Sequence, residues 1–158
     1  MYYKDHARIL NAVQDVGFTW VKQQAPWKDI EGPQGTYNWG ELDNIVRDVN
    51  ARGLNLMLSV VKAPAWATNG QPGYPNNPDD FGRFMRAMAK HYQGQVGAYE
   101  LWNEENLTGE SGVISPERYC YLLTAGYRRV KCAHPSPGGT LGALTPPGHP
   151  DPTHATQA

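Results

Sequence analysis

The order of helix-like and strand-like segments predicts an α/β fold built on a parallel sheet. Apolar residues at helical spacing alternate along the chain with short β-prone or apolar runs, so that helix and strand follow one another repeatedly. This alternation is typical of βαβ units. Residues 55–61 are almost wholly apolar, as expected for a strand buried on both faces. The alternation alone does not separate an open sheet from a closed barrel.

The first part of the chain predicts two helices and one strand. Residues 6–17 have the apolar spacing of an amphipathic helix, and residues 19–24 form a β-prone run. Glycine and proline mark residues 27–35 as a loop. Asn38 and Glu41 then have the spacing of a capping box, followed by the apolar face of a second helix.

The second part repeats the same alternation. After the strand at 55–61, residues 77–80 (Asn-Pro-Asp-Asp) combine a helix N-cap, a first-turn proline and first-turn acids. Residues 98–102 are expected to form the next strand, and Ser115 opens another helix. Residues 139–145 predict one more short strand.

Composition argues against several classes of partner. The chain has 158 residues, with 14 basic and 15 acidic side chains and a formal net charge of -1. This balance does not favour a nucleic acid or an anionic membrane surface as partner. The sequence contains no stretch of about 20 apolar residues, so we expect no membrane span. Its N-terminus does not resemble a signal peptide, which fits a cytoplasmic protein or one secreted after processing.

Cysteines and motifs indicate that no cofactor is required. Cys120 and Cys132 fall in one predicted helix, roughly 18 Å apart at the helical rise. That separation is too long for a disulfide, so we predict free thiols. Glycine-rich nucleotide-binding sequences do not follow any predicted strand. We therefore expect neither a cofactor nor a metal site.

Aromatic residues are abundant, with five Trp and nine Tyr. Core packing is the ordinary explanation for them. Sugar recognition is the alternative, because the flat face of an aromatic ring stacks against the C–H face of a pyranose. Several aromatic residues lie near predicted strand ends, which favours sugar recognition at those positions.

Three groups of residues resemble clan A of the (β/α)8-barrel retaining glycoside hydrolases. In chain order they are Trp27 with Glu31 to Asp43, Pro64-Ala65-Trp66, and Glu100-Leu101-Trp102-Asn103-Glu104. Trp-Asn-Glu is the most specific of them. The resemblance covers roughly residues 6–145 and implies a partial TIM barrel, about half of the eight strands. We expect this domain to span residues 1–145, followed by a Pro- and Gly-rich, disordered tail at 146–158.

The resemblance implies roles for several side chains. Glu104 would be the general acid/base that protonates the leaving oxygen, and Asn103 would hydrogen-bond the sugar 2-hydroxyl. Trp102, Trp66 and Trp27 would contact an oligo- or polysaccharide of β-linked sugars. Independently of the family, the C-terminal end of a buried parallel strand is where barrel enzymes place catalytic groups.

The second carboxylate of a retaining site is not assigned by the resemblance. In this clan the nucleophile is a Glu on barrel strand seven, whereas this chain aligns with strands two to four and a candidate fifth. Glu105 and Glu100 are the candidate second carboxylates. A two-residue period places Glu100 on the same side of its strand as Trp102 and Glu104, where we favour a hydrogen-bonded structural role.

An incomplete barrel leaves open edges and an uncovered face, so we predict a homo-oligomer. Two alternatives to an active glycosidase remain open. The chain could be a catalytically incomplete, carbohydrate-binding half barrel, or it could be a truncated gene product.

Overall fold

The protein is described by a computed structural model that covers residues 4–71, 73–104 and 114–135, and the backbone of 138–141. Its strands are β1 (Trp20–Pro26), β2 (Asn55–Val61), β3 (Ala98–Leu101) and β4 (Gly138–Leu141). They form one sheet in the order β1-β2-β3-β4, and every neighbouring pair is parallel. The predicted α/β class is confirmed, and the strictly sequential order is that of an arc of a barrel.

Helices connect the strands. They are α1 (His6–Asp15), α2 (Trp27–Ile30), α3 (Gly40–Asn50), α4 (Pro78–His91) and α5 (Pro116–Ala133), with a 3₁₀ turn at Ala65–Ala67. The two longest helices, α4 and α5, begin at side-chain caps that the sequence signals. The side chain of Asn77 accepts from the Asp79 backbone N–H at 3.0 Å, and the Ser115 hydroxyl accepts from the Arg118 N–H at 3.3 Å. These caps satisfy amide groups that have no partner within the helix.

The two faces of the sheet differ in chemistry. One face, here called the outer face, packs against the helices and forms the core with Leu56, Leu58, Val60, Tyr99 and Leu101. The opposite face, here called the inner face, carries the alternating residues of the same strands. In register across the first three strands, it includes Lys22 beside Met57, and a row of Gln24, Ser59 and Glu100.

Two local predictions in the first part of the chain are wrong. Residues 27–30 form the short helix α2 rather than a loop, because Trp27 and Ile30 bury their side chains in the core. The next helix starts at Gly40 with Trp39 as its N-cap, and the Trp39 side chain makes no cap bond. Asn38 Oδ1 accepts from the Gly40 N–H at 3.2 Å instead of closing the predicted capping box.

Other boundaries follow the sequence closely. Strand β2 has the predicted bounds, β1 extends two residues further to Pro26, and β3 ends one residue earlier at Leu101. Strand β4 occupies 138–141, and the predicted domain boundary after residue 145 lies outside the described residues. Cys120 and Cys132 are free, as predicted, and both are exposed. Within the described ranges, no helix is long and apolar enough to cross a membrane.

Candidate active site

The segment that follows β3 leaves the sheet through two left-handed backbone positions. Trp102 has φ +77° and Glu104 has φ +58°, although neither is glycine. Such a conformation costs about 1–2 kcal/mol per residue for an L-amino acid. Strained positions of this kind persist only where the surroundings hold them, and they cluster at functional sites. The strain therefore favours a functional role for residues 102–104.

Trp102 turns away from the inner face. Its indole is 0 % exposed and packs against Tyr74, with ring centroids 4.5 Å apart, and against Phe81 of α4 at 5.8 Å. An indole without an exposed face does not stack on a sugar, so the predicted substrate contact is corrected to core packing. The two-residue period fails here because the strand has ended and the left-handed step rotates the chain.

Asn103 reaches the inner face and joins a charged network there. Lys22 Nζ lies 2.9 Å from Glu100 Oε1, with hydrogen-bond geometry, and 2.7 Å from Oε2. The same ammonium donates to Asn103 Oδ1 at 3.4 Å. Glu100 is 4 % exposed and Asn103 is 8 % exposed, whereas the Lys22 side chain is 43 % exposed. A buried carboxylate and a buried amide therefore share one cation that is partly open to solvent.

The carboxylates near the end of β3 have different surroundings. Glu104 is exposed, at the carboxyl end of the strand. Both oxygens of Glu100 lie against Lys22, and its side chain is buried, so we correct its candidate role as second carboxylate to that of an ion-pair partner. Glu105 lies outside the described residues and stays a prediction.

Trp27 is also a core residue. Its indole is 0 % exposed and stacks on Phe84 at 5.2 Å, with Trp66 edge-on at 5.6 Å. Its Nε1 donates to Glu31 Oε2 at 2.6 Å. The predicted sugar contact at Trp27 is therefore wrong for the same reason as at Trp102, since packing leaves no face for a ligand.

Glu31 is the centre of a second polar cluster, which supports the loop after α2. Its buried carboxylate accepts from the Gly35 backbone N–H at 2.6 Å and from Arg83 Nη1 at 2.7 Å. Arg83 also donates to the Tyr37 hydroxyl at 3.0 Å. Burial raises the pKa of Tyr37, and the nearby Glu31 carboxylate adds to that rise. The cluster is an ion pair with hydrogen bonds to the loop, which gives Glu31 a structural role.

Trp66 differs from the two buried tryptophans because it is only partly buried. The Arg83 guanidinium carbon lies 5.4 Å from the centroid of its ring, and its Nε1 donates to the Glu31 carbonyl at 3.4 Å. These contacts fix the ring at the carboxyl end of β2. Trp66 is therefore the predicted aromatic contact that remains available to a ligand.

The described part of the chain holds no group of three His, Cys, Asp or Glu side chains arranged to bind a metal ion. At the end of β3, Glu104, Asn103 and Lys22 offer groups for proton transfer and hydrogen bonding.

The fold is similar to those of solved glycoside hydrolases. No protein-family model matches the sequence. Endo-1,4-beta-xylanase 3 of Hypocrea jecorina is 25 % identical over 144 residues, covering 83 % of this chain and 39 % of that protein. A family 39 glycoside hydrolase from Bacteroides cellulosilyticus WH2 superposes with a TM-score of 0.73 at 23 % identity, over 87 % of this chain and 28 % of its own.

An endoglucanase from Thermotoga maritima superposes similarly, with a TM-score of 0.70 at 15 % identity, covering 89 % of this chain and 45 % of that structure. The fold is part of a TIM barrel. The predicted resemblance to clan A glycoside hydrolases and the predicted partial barrel are thereby confirmed. The chain spans about two fifths of the length of the curated relative that it matches.

Sequence reasoning missed Lys22 and Arg83 as parts of these clusters. Both are charged residues within elements that otherwise bury one face, which is the signal that could have drawn attention to them. Lys22 and Glu100 are 78 positions apart, and Arg83 and Glu31 are 52 apart. Only the assembled sheet brings such partners together.

Proposed function

We propose that this chain carries the acid/base half of a glycoside hydrolase site that cleaves O-glycosidic bonds of β-linked sugars. Glu104 is the proton donor in this proposal, and Asn103 hydrogen-bonds the sugar. The observation that carries it is the exposed Glu104 carboxyl beside a fixed Asn103 amide, at the carboxyl end of a parallel strand. Barrel enzymes build their active sites at this end of the strands.

The chemistry requires a carboxylic acid that protonates the leaving oxygen as the glycosidic bond breaks. Glu104 is exposed and can meet that oxygen, whereas Glu100 is buried and paired with Lys22. A hydrogen bond from Asn103 to the 2-hydroxyl would strengthen as positive charge develops on the sugar ring. The partly buried Trp66 offers an aromatic surface for a neighbouring sugar.

Similarity supports a polysaccharide or oligosaccharide as the substrate. The matched proteins from Hypocrea jecorina and Thermotoga maritima are named as a xylanase and an endoglucanase. Both names refer to enzymes that act on glycans. Because the similarity covers less than half of each, the proposal extends to β-linked sugars as a class and leaves the sugar open.

The test compares the wild type with Glu104→Gln on a panel of aryl β-glycosides and polysaccharides. We expect hydrolysis to fall by a factor of about 10²–10⁴, the usual contribution of a general acid/base. Aryl glycosides with good leaving groups should lose least, because they need less protonation. Asp15→Asn is the matched control, since Asp15 is exposed at the far end of α1. Hydrolysis unaltered by Glu104→Gln would overturn the assignment.

A carbohydrate-binding half barrel without catalysis is the second candidate, including the case of a truncated gene product. It is favoured by the ion pairs that hold Glu100 and Glu31, because neither carboxylate is free to act as a nucleophile. In this case oligosaccharides should quench tryptophan fluorescence while no reducing sugar is released. A Trp66→Ala variant that binds as well as the wild type would exclude Trp66 from the binding surface.

We also propose that a second copy of the chain covers an unpaired edge of the sheet. Among the described strands, β1 pairs only with β2 and β4 only with β3, so each leaves one edge unpaired. Val16 and Phe18, just before β1, are each 65 % exposed. Sedimentation should show a dimer or larger species that Phe18→Glu weakens. A compact monomer at micromolar concentration would overturn this.

A further inference from the structure

Lys22 occupies a position on the inner face from which one ammonium group touches two different functional side chains. We propose that Lys22 is a positioning residue, which fixes the amide of Asn103 so that its NH₂ group faces the sugar. This inference rests on the proposed function of Asn103, because the orientation matters only if that amide meets a ligand. It assigns a role to a residue that the motif at 100–104 does not contain.

The geometry of the ammonium group leads to this role. A lysine ammonium has three N–H donors and no acceptor. Lys22 Nζ has three oxygen neighbours in the network: Glu100 Oε1 at 2.9 Å, Glu100 Oε2 at 2.7 Å and Asn103 Oδ1 at 3.4 Å. The three N–H donors of the ammonium group therefore face three acceptor oxygens, all of which belong to Glu100 and Asn103 at the end of β3.

Lys22 spans the width of a strand to reach these partners. It belongs to β1, whereas Glu100 and Asn103 belong to β3 and its C-terminal end, and β2 lies between them. Neighbouring strands are about 4.8 Å apart, so the side chain crosses roughly twice that distance with help from the curvature of the sheet. A shorter side chain at position 22 would leave Glu100 without its cation.

The charge of Lys22 settles which way the Asn103 amide faces. An asparagine amide has an acceptor oxygen on one side and two donors on the other. Because an ammonium group can only donate, Oδ1 must be the atom that faces Lys22. The Nδ2 group then faces away, and a sugar hydroxyl in front of it is bound as an acceptor. With Lys22 removed, both orientations of the amide become available.

Glu100 holds Lys22 in turn. Its carboxylate is 4 % exposed and in contact with Nζ through both oxygens, which fixes the position of the cation. The chain of dependence therefore runs from Glu100 to Lys22 and from Lys22 to Asn103. Glu100 was predicted as a hydrogen-bonded structural carboxylate. In this network its structural role is to hold the cation that orients Asn103.

The first test needs no ligand and no activity. The Asn103 side-chain amide gives a pair of ¹⁵N–¹H signals, which are assigned by their loss in Asn103→Asp. In Lys22→Met, we expect these signals to move toward those of solvent-exposed asparagines. Lys22→Arg should keep them near the wild-type position, because a guanidinium group is also a pure donor. Signals that do not move in Lys22→Met would overturn the proposal.

Two further variants serve as a control and as a substitute for a variant that does not fold. Lys90→Met is the matched control, since Lys90 is an exposed residue of α4, and it should leave the Asn103 signals unchanged. If Lys22→Met does not fold, Lys22→Gln combined with Glu100→Gln removes the buried charge together with its partner. A glutamine at position 22 can donate or accept, so the Asn103 signals should shift or double. Unchanged signals in this double variant contradict the proposal equally.

The second test measures the donor role of Asn103 with a defined probe. A methyl β-xyloside and its 2-deoxy analogue are titrated against Glu104→Gln, in which the poor leaving group and the missing acid keep turnover slow. Loss of the 2-hydroxyl should weaken binding by about five- to tenfold, the value of one hydrogen bond. With Lys22→Met added, the two probes should differ by less than about twofold, and with Lys22→Arg the full difference should return.

The outcomes separate this inference from the proposed function. If neither probe binds to any variant and no glycoside or polysaccharide of the panel above is hydrolysed, sugar binding at this site is wrong, while the amide signals of the free protein still decide whether Lys22 orients Asn103. If the probes bind and the difference between them survives in Lys22→Met, the positioning role of Lys22 is wrong and the proposed function stands.

Discussion

The outer and inner faces of the sheet are made by adjacent residues of the same strands, yet different forces organise them. Leu58 and Ser59 are neighbours on β2, both fully buried, and they point to opposite sides. Leu58 lies in a continuous core under the helices, whereas Ser59 lies in a row with Gln24 and Glu100. The outer face is held by burial of apolar area, and the inner face by a few specific polar contacts.

This difference indicates what each face is for. The outer face needs many interchangeable apolar contacts, each contributing through the area that it removes from water. The inner face needs particular atoms at particular distances, such as Lys22 Nζ against Glu100 and Asn103. A change that is tolerated on one face should therefore be costly on the other.

The largest expected effect comes from truncation of adjacent residues on opposite faces. Leu58→Ala should lower the free energy of unfolding by about 2–5 kcal/mol, because it leaves a cavity in the core. Ser59→Ala should change it by less than about 0.5 kcal/mol, since the Ser59 hydroxyl is buried without a hydrogen-bond partner among the described residues. Urea unfolding of the two variants measures both values.

Equal losses for the two alanine variants would contradict the separation of the faces. Ser59→Val provides a second measurement at the same position. If the inner face has the packing density of a core, the added methyl groups should cost about 1–3 kcal/mol. If it has room for a ligand, the cost should be smaller.

A smaller effect is expected from breaking the ion pair on the inner face. Lys22→Met leaves the buried Glu100 carboxylate without its cation, a change that costs about 3–5 kcal/mol for a fully buried pair. Because the Lys22 side chain is 43 % exposed, solvent screens the pair, and we expect a loss of about 1–2 kcal/mol.

The double variant sharpens this prediction. Glu100→Gln added to Lys22→Met removes the stranded charge, so it should recover part of the lost stability. Urea unfolding of Lys22→Met, Glu100→Gln and the double variant together gives the coupling between the two side chains. Additive effects would mean that the pair contributes nothing to the inner face.

The smallest effect is expected at a hydrogen-bonded pair outside both faces, between α1 and α3. His6 Nδ1 lies 2.7 Å from Asp48 Oδ2, and this hydrogen bond, helped by Arg47, holds the pKa of Asp48 below its ordinary value. The folded state therefore gains stability above the ordinary carboxyl pKa of about 4, and that gain is lost as the pH falls through the lowered value.

Replacing this carboxylate should accordingly matter only at higher pH. Asp48→Asn should cost about 0.5–1 kcal/mol near neutrality, because His6 and Asp48 are partly buried and solvent screens their contact only in part. Against wild type, the difference should shrink toward zero as the pH falls below about 4. Thermal unfolding of both proteins across this range measures it. A difference that grows on acidification would contradict a stabilising role for the charged form of Asp48.

The sequence predicted the parts of the fold that depend on local pattern. Strand β2 has its expected bounds and helix α4 its expected start, because a continuous apolar run and an Asn-Pro cap are local signals. Helix α2 was missed because it has one turn and forms only where Trp27 and Ile30 meet the core. Local sequence carries no information about such a contact.

The candidate site was predicted unevenly for the same reason. Position on the chain and family resemblance indicated Asn103 and Glu104 as functional residues, and their roles stay predictions. Burial of Trp27 and Trp102 depends on Phe81, Phe84 and Tyr74, which are distant in sequence, so the pattern of aromatics could not separate packing from binding. The contact of Lys22 with Glu100 depends on tertiary structure as well.

The left-handed step at Trp102 reverses the alternation by which successive side chains of a strand point to opposite faces of the sheet. Leu101 and Trp102 face the helices in succession, and Asn103 consequently faces the interior of the arc, where an unbroken strand would have placed the tryptophan. An ordinary extended conformation at Trp102 would exchange the faces of Trp102 and Asn103 without altering any residue. A design that transfers Trp102-Asn103-Glu104 to another scaffold must therefore reproduce the left-handed backbone turn as well as the sequence.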